Sequence, residues 1–176
     1  MGLFGLFRRP RHERTGFVLY GAAVAAAREP SLYTEFGAPD TAAGRFELVT
    51  LHVALLVRRL RGETDRTADA LAQAVFDAMF ADMDVNLREM GIGDLSVGKR
   101  VKMLWEGFHG RAQAYAAALE AGDEAGLAAA LARNVWVAVA APEGAPEALA
   151  RHVMRADAVV AGQSVAALLE GKVHFS

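Results

Sequence analysis

Apolar residues recur every three or four positions along most of this chain, which is the spacing of one face of an α-helix. Runs of β-branched and aromatic residues at period two, typical of strands, are missing. Proline and glycine separate six predicted helices, at about Thr15 to Arg28, Arg45 to Arg61, Asp65 to Met90, Ser96 to Ala121, Asp123 to Val139 and Pro146 to Gly171. The sequence therefore predicts an all-α fold, a single compact bundle of about six helices.

The third and fourth predicted helices carry the longest apolar stripes. These contain Phe76, Met79, Phe80, Met83, Leu87 and Met90 in the third, and Val97, Val101, Leu104, Trp105, Phe108, Ala112, Tyr115 and Leu119 in the fourth. Glycines at 91 and 93 are expected to end the third helix, with Asp94 or Ser96 capping the fourth. The long loop of residues 29–44 is expected to pack Leu32, Tyr33 and Phe36 onto the core.

The composition is that of a globular protein, because 53% of the 176 residues are hydrophobic and 23% are charged. The chain has no cysteine, which excludes disulfides, thiolate metal sites and cysteine nucleophiles. Its net charge of −2 provides no global field that would draw DNA. We expect neither a signal peptide nor a transmembrane helix, because no apolar segment has the required length and flanks.

Residues 1–14 are predicted to form a short amphipathic and basic tail before the helical domain of residues 15–176. Four arginines against one glutamate give the tail a charge of +3, so the remainder of the chain carries −5. Large apolar residues beside arginines are typical of an interfacial anchor on anionic lipid. The predicted membrane contacts are Leu3, Phe4, Leu6, Phe7, Arg8 and Arg9. Docking of the tail on the domain or on a partner, and disorder, are the alternatives.

The stretch GDLSVGKR, residues 93–100, nearly matches the phosphate-binding loop G-x-x-x-x-G-K-[ST]. Such a loop follows a hydrophobic strand, whereas residues 76–90 have helical periodicity. Arg100 also replaces the hydroxyl that would hold magnesium. The pattern therefore predicts a turn between two helices and not a nucleotide site.

No group of residues predicts a metal site or a catalytic centre. The stretch DMDVN, residues 82–86, is followed by Leu87 and Gly93 where a calcium loop needs glycine and glutamate. The five histidines lack the spacing of metal ligands. His52 is expected to be partly buried and structural, and His109 to be solvated. No G-x-S-x-G elbow supports a Ser–His–Asp mechanism.

Charged side chains of both signs cluster around the turn between the third and fourth predicted helices. Asp84 and Arg88 have the spacing of an ion pair within the helix, as do Lys102 and Glu106. Cations near a helix N-terminus are unfavourable, which suggests that the basic cluster serves a partner. The predicted partner-binding residues are Asp82, Asp84, Asn86 and Glu89 on one arm, and Asp94, Lys99, Arg100 and Lys102 on the other.

Three stretches of the chain resemble the ubiquinol–cytochrome c chaperone family. They are GRFELVTLHVALLVRRL, DAMFADMDVNLREMGIGDLSVGKRVK and FHGRAQAYAAAL, within a resemblance that covers about residues 15 to 140. Residues 80–102 are the most specific part. The chain is most similar to the compact bacterial members, of alphaproteobacterial type, which lack mitochondrial targeting sequences.

The resemblance implies an all-helical assembly factor without enzyme activity or cofactor. Mitochondrial members help newly made cytochrome b to enter the bc1 complex, respiratory complex III, and also associate with ribosomes. The expected client is therefore cytochrome b or another bc1 subunit, and the expected location is the cytoplasmic side of the inner membrane, as a peripheral protein. The slightly acidic net charge does not favour a ribosome contact.

Two other functions remain open at the level of the sequence. One is a lipid or quinone pocket among the second, third and fourth predicted helices, lined by Met79, Met83, Trp105, Phe108 and Tyr115. A cavity with His52 or Asp84 directed inward would favour it. The other is a membrane-anchored adaptor.

Overall fold

The computed structural model of the protein describes residues 9–176, apart from the side chains of residues 9–11 and 95. All regular structure in this part of the chain is helical, as predicted. The helices are α1 (Arg9–Ala26), α2 (Pro30–Thr34), α3 (Ala42–Arg61), α4 (Arg66–Glu89), α5 (Asp94–Ala121), α6 (Glu124–Val135), α7 (Ala145–Ala161) and α8 (Val165–Leu169). Across these residues, no helix has the length and apolar character needed to cross a membrane.

Several predicted helix boundaries are wrong. Helix α1 begins at Arg9 rather than Thr15, with Pro10 in its first turn, a position that suits the fixed φ of proline. The helical part of the chain therefore reaches back into segment 1–14. The predicted sixth helix is two helices, α7 and α8, because Ser164 accepts a hydrogen bond from the amide of Ala167 at 3.2 Å and so caps a new helix.

Helix α6 ends at Val135, earlier than predicted, because Trp136 turns toward the loop between α2 and α3. The indole nitrogen of Trp136 donates a hydrogen bond to the carbonyl of Gly37 at 2.9 Å. The segment of residues 29–44, predicted as a loop, contains the short helix α2. It contributes Leu32 to the core, with Tyr33 and Phe36 packed against it, as predicted. The contact therefore fixes the α2 region against the end of α6.

Helix α3 is the centre of the bundle, since it packs against α1, α4, α5, α6 and α7. Thr41 caps it by accepting a hydrogen bond from the amide of Gly44. Its leucines are buried on all sides, including Leu48, Leu51, Leu55 and Leu56. Each such leucine stabilises the fold by about 1.5–3 kcal/mol relative to an exposed side chain.

Helices α1 and α4 pack closely and run in the same direction. Gly16 lies so close to Ala74 that a Cβ atom at position 16 would be 2.6 Å from the Ala74 carbonyl carbon. Further along both helices, the Tyr20 hydroxyl donates to Asp82 at 2.7 Å. The start of α1 therefore lies beside the start of α4, at the opposite end from the α4–α5 turn.

Candidate functional site

Helix α4 ends at the α4–α5 turn in a hydrogen-bond pattern that requires glycine. The amide of Gly91 donates to the carbonyl of Arg88 at 2.9 Å, and the amide of Ile92 donates to that of Leu87 at 3.1 Å. Gly91 has a φ of 79°, which side-chain-bearing residues rarely adopt. This is a Schellman motif, so GDLSVGKR belongs to a helix–turn–helix connection, as predicted.

Helix α5 then begins without a side-chain cap, which corrects the expectation that Asp94 or Ser96 would cap it. Gly93 occupies the N-cap position and makes no side-chain hydrogen bond. The carboxylate of Asp94 instead binds the guanidinium of Arg88. Arg88 also binds Asp84 at 2.6 Å, which confirms the ion pair predicted within α4. One arginine therefore joins the end of α4 to the start of α5 across the turn.

The remaining residues of the predicted acidic arm differ in whether they form hydrogen bonds within the protein. Asp82 accepts a hydrogen bond from Tyr20, and burial together with this carboxylate raises the pKa of the Tyr20 hydroxyl. Asn86 donates to the carbonyl of Asp82 at 2.8 Å. Glu89 is exposed at the end of α4. Glu89 is thus the acidic side chain of this arm that is best placed to meet a partner.

The basic arm lies on the exposed side of the first turns of α5. Lys99 and Arg100 are exposed, and neither forms an ion pair with any described residue. Lys102 lies 3.9 Å from Glu106, which confirms the predicted contact between these side chains. Two of the three cations are therefore unneutralised within residues 9–176.

Three large apolar side chains near this turn are exposed. Met90 is 66% exposed although it continues the spacing of the buried stripe of α4, and it occupies the position just past the end of that helix. Trp105, expected in the stripe of α5, is 46% exposed and stacks on His109 with the ring centres 4.1 Å apart. Met103 is 62% exposed. Met103 was not among the predicted partner-binding residues. Its signal in the sequence is an apolar residue on the polar side of the predicted helix.

Four of the five residues proposed to line a lipid or quinone pocket form part of the core instead, and the fifth, Trp105, is exposed. Met79, Met83, Phe108 and Tyr115 are buried in one cluster with the rest of the core. Asp84 binds Arg88 at the surface rather than pointing inward. Open grooves of about 660 and 600 Å³ lie elsewhere, between α1 and α4 and beside α2. The described side chains give the pocket hypothesis no support.

His52 is buried more completely than expected, with 3% of its surface exposed. Its Nδ1 lies 2.7 Å from the carbonyl of Leu48, so this nitrogen carries the proton and donates it. The ring meets Phe175 edge-on at 5.1 Å. Burial lowers the pKa of His52 to about 4, so the imidazole is neutral at physiological pH and acts as a core residue. His109, expected to be solvated, is half-buried, and its Nδ1 atom donates a hydrogen bond to the Trp105 carbonyl at 2.9 Å.

A buried ion pair, which the sequence pattern did not predict, joins α3 to α5. Arg111 contacts the Glu47 Oε1 atom at 2.8 Å, and Glu47 is 5% exposed. Burial raises the pKa of Glu47 to about 7, although the charge of Arg111 acts in the opposite direction. Tyr115 follows Arg111 by one turn, and its hydroxyl accepts a hydrogen bond from Asn134. This polar cluster is structural, because it lies inside the bundle.

Within the described residues, no group of three or more histidine, aspartate or glutamate side chains has the arrangement of a metal site. Residues 82–86 lie within α4, as the sequence predicted. The predicted membrane contacts of the tail, Leu3, Phe4, Leu6, Phe7 and Arg8, lie outside the described residues. For Arg9 only the backbone is described, as the first residue of α1.

Comparison with known proteins gives one family and one closely similar structure. Residues 34–175 match the family described as Ubiquinol-cytochrome C chaperone. The crystal structure of the Cbp3 homolog from Brucella abortus superposes with a TM-score of 0.83 at 40% sequence identity. The alignment covers 98% of this chain and 95% of that chain. No protein among those of curated function matches.

The family match extends beyond the residues that carried the resemblance in the sequence. It reaches residue 175 and therefore includes α7, α8 and the C-terminal segment that covers His52. The solved homologue shares nearly the whole fold at an identity that is far above chance. The chain belongs to the ubiquinol–cytochrome c chaperone family.

Proposed function

We propose that this protein assists assembly of the cytochrome bc1 complex by binding newly made cytochrome b, and that it acts by binding and not by catalysis. Membership of the ubiquinol–cytochrome c chaperone family supports a role in the biogenesis of this complex. The similarity to the Cbp3 homolog over nearly the whole chain supports the same role. The family match supports the role in assembly of the complex, whereas the choice of cytochrome b over another subunit as the client is proposed here.

The observation that carries the proposal is the exposure of Met90 at the α4–α5 turn. Met79, Met83 and Leu87 form a buried stripe on α4, and Met90 continues that stripe into solvent. A flexible, polarisable methionine adapts to varied apolar surfaces, which suits a chaperone that holds an incompletely folded client. An exposed apolar residue with charges around it is also the usual anatomy of a protein interface.

The acidic residues of both arms complete the proposed contact surface for the client. Cytoplasmic loops of membrane proteins carry an excess of lysine and arginine. Such a loop is attracted to an acidic surface, and Glu89 next to Met90 supplies one. Asp84 and Asp94 contribute to the same negative field, although Arg88 neutralises part of it.

The proposed location is the cytoplasmic face of the inner membrane, where the client is inserted. The tail of residues 1–14, with its apolar residues and net charge of +3, is proposed to hold the protein there. A ribosome contact remains a weaker proposal, because the net charge of −2 does not favour binding to RNA.

Photo-crosslinking in living cells tests the proposal. A benzophenone amino acid is placed at Met90, and at Arg133 on α6 as an exposed control position. During induced synthesis of the bc1 complex, we expect an adduct from position 90 that antibodies to cytochrome b detect, and none from position 133. Absence of any adduct with a bc1 subunit from positions 89 and 90 would contradict the proposal.

A further inference from the structure

The first half of α5 presents an outward face that combines basic and apolar side chains. Ser96, Lys99, Met103 and Glu106 follow one another at intervals of three or four residues, so they lie along one line of the helix. All four are exposed, and Arg100 and Lys102 flank the line. Buried residues of α5, including Val97 and Phe108, occupy the other side. This outward face is called the basic face below.

The charges of the basic face do not stabilise the fold. Lys99 and Arg100 form no ion pair with described residues, and the pair of Lys102 with Glu106 is solvent-exposed. Lys99 and Lys102 are three residues apart on α5, so their like charges are neighbours on the helix surface and repel each other. Met103 adds an apolar side chain that is 62% exposed between them. A surface that is unfavourable in the free protein points to a partner.

The sign of the charge selects the partner. A cytoplasmic loop of the client carries excess positive charge and is repelled by the basic face. The cytoplasmic leaflet is anionic, and attracts clustered lysine and arginine. An exposed methionine among cations also suits the boundary between headgroups and acyl chains. We propose that the basic face of α5 rests on anionic lipid beside the client, an inference that rests on the proposed function for its cytoplasmic, membrane-side setting.

The basic face lies at one end of the long helix α4, and this position brings the proposed client contact close to the membrane. Helix α4 has 24 residues and is therefore about 36 Å long. His12 of α1 and Arg66 of α4 line the same groove, so the start of α1 lies beside the start of α4. The basic face lies at the other end, next to the α4–α5 turn. A lipid contact at the basic face therefore holds Glu89 and Met90 close to the membrane surface, where the client's loops lie.

Vesicle flotation with the purified full-length chain tests the inference without any client. The vesicles contain phosphatidylcholine and phosphatidylglycerol in a ratio of roughly two to one, and pure phosphatidylcholine serves as the neutral surface. The test variant is Lys99→Gln/Arg100→Gln. The control is Arg133→Gln/Arg155→Gln, which changes the net charge equally on α6 and α7 at exposed positions. Matching unfolding curves establish that both variants fold.

We expect the test variant to bind anionic vesicles roughly 25-fold more weakly than the wild type, at about five-fold for each charge. The control variant should lose far less of its affinity for anionic vesicles. Met103→Ser should weaken vesicle binding although it leaves the charge unchanged. Equal loss in the two double variants would overturn the inference, since it would reflect net charge alone. Wild-type vesicle binding by Lys99→Gln/Arg100→Gln, with loss of the cytochrome b adduct at Met90, would assign the basic face to a protein partner and overturn it as well.

The two proposals fail separately. If anionic vesicles bind through the basic face but no crosslink to a bc1 subunit forms, the lipid contact stands and the proposed client is wrong. If the crosslink forms while vesicle binding is unaffected by the basic face, the client stands and the lipid contact is wrong.

Discussion

Arg111 on α5 contacts Glu47 on α3 across 2.8 Å, and this ion pair lies inside the bundle. Gly107 makes the contact possible, because a Cβ atom there would be 2.7 Å from the Arg111 guanidinium. The Oε2 atom of Glu47 and the Nε atom of Arg111 have no hydrogen-bond partner within the described structure. A buried charge with incomplete hydrogen bonding is costly, so the pair makes stability depend on pH.

The Glu47→Gln substitution is predicted to remove part of the pH dependence of stability. Burial raises the pKa of Glu47 from 4.5 to about 7 in the folded protein. Between these values the folded state binds more protons than the unfolded state, so the free energy of unfolding falls as pH rises. Between pH 5 and pH 8, the free energy of unfolding should fall by roughly 2 kcal/mol more in the wild type than in the glutamine variant. Urea unfolding measures this difference, and parallel curves for the two proteins would contradict it.

His52 should produce the opposite slope at lower pH. Burial lowers the pKa of His52 from 6.5 to about 4, so the unfolded state takes up the proton first. Stability from this group is complete above pH 6.5 and is lost as pH falls toward 4. As pH falls from 7 to 5, the free energy of unfolding of the His52→Phe variant should decrease by roughly 2 kcal/mol less than that of the wild type. Equal losses in the same unfolding assay would show that the folded protein does not hold His52 neutral.

Helix α5 contains glycines that packing does not require. A Cβ atom at Gly98 or Gly110 would meet no atom within 4 Å. Because glycine is a poor helix former, Gly98→Ala and Gly110→Ala should each stabilise the protein by about 1 kcal/mol. Gly16→Ala is the matched contrast, because its Cβ would clash with Ala74, and a loss of about 1–3 kcal/mol is expected. Chemical denaturation distinguishes gain from loss, and destabilisation by both α5 substitutions would contradict the packing described.

Arg88 is predicted to hold the α4–α5 turn in place without supporting the bundle as a whole. Its guanidinium binds Asp84 and Asp94, which lie on opposite sides of the turn. Arg88→Gln should therefore speed hydrogen exchange at the amides of residues 91–97 and leave the unfolding midpoint nearly unchanged. Arg133→Gln on α6 is the control. Unchanged exchange at the turn would mean that the Schellman motif alone fixes it.

The helices were predictable because their apolar periodicity is local and strong. The turn at Gly91 was predictable too, since glycine after a helical stripe is the usual stop signal. The start of α1 was missed because Arg9 and Pro10 belong to a stretch without apolar periodicity, where helix formation depends on context. The break at Ser164 was missed because the apolar residues continue on both sides of it.

The charges of both signs around the α4–α5 turn were evident in the sequence, and so was the spacing of the Asp84–Arg88 ion pair. The other contacts of these side chains were not. The engagement of Asp94 by Arg88, and of Asp82 by Tyr20, depends on how α1, α4 and α5 meet in space. The ion pair of Glu47 and Arg111 joins residues far apart in the chain, so no local sequence pattern predicts it.

The most direct test of the central claim is deletion of the gene in a bacterium that has a bc1 complex. Membrane cytochrome b is measured by reduced-minus-oxidised spectra, and the assembled complex by native gel. We predict loss of both, restored by the wild-type protein but not by Glu89→Lys/Met90→Lys, which repels a basic client loop. Equal restoration by this variant would move the client contact away from the turn. Unchanged cytochrome b and bc1 complex in the deletion strain would contradict the role in assembly.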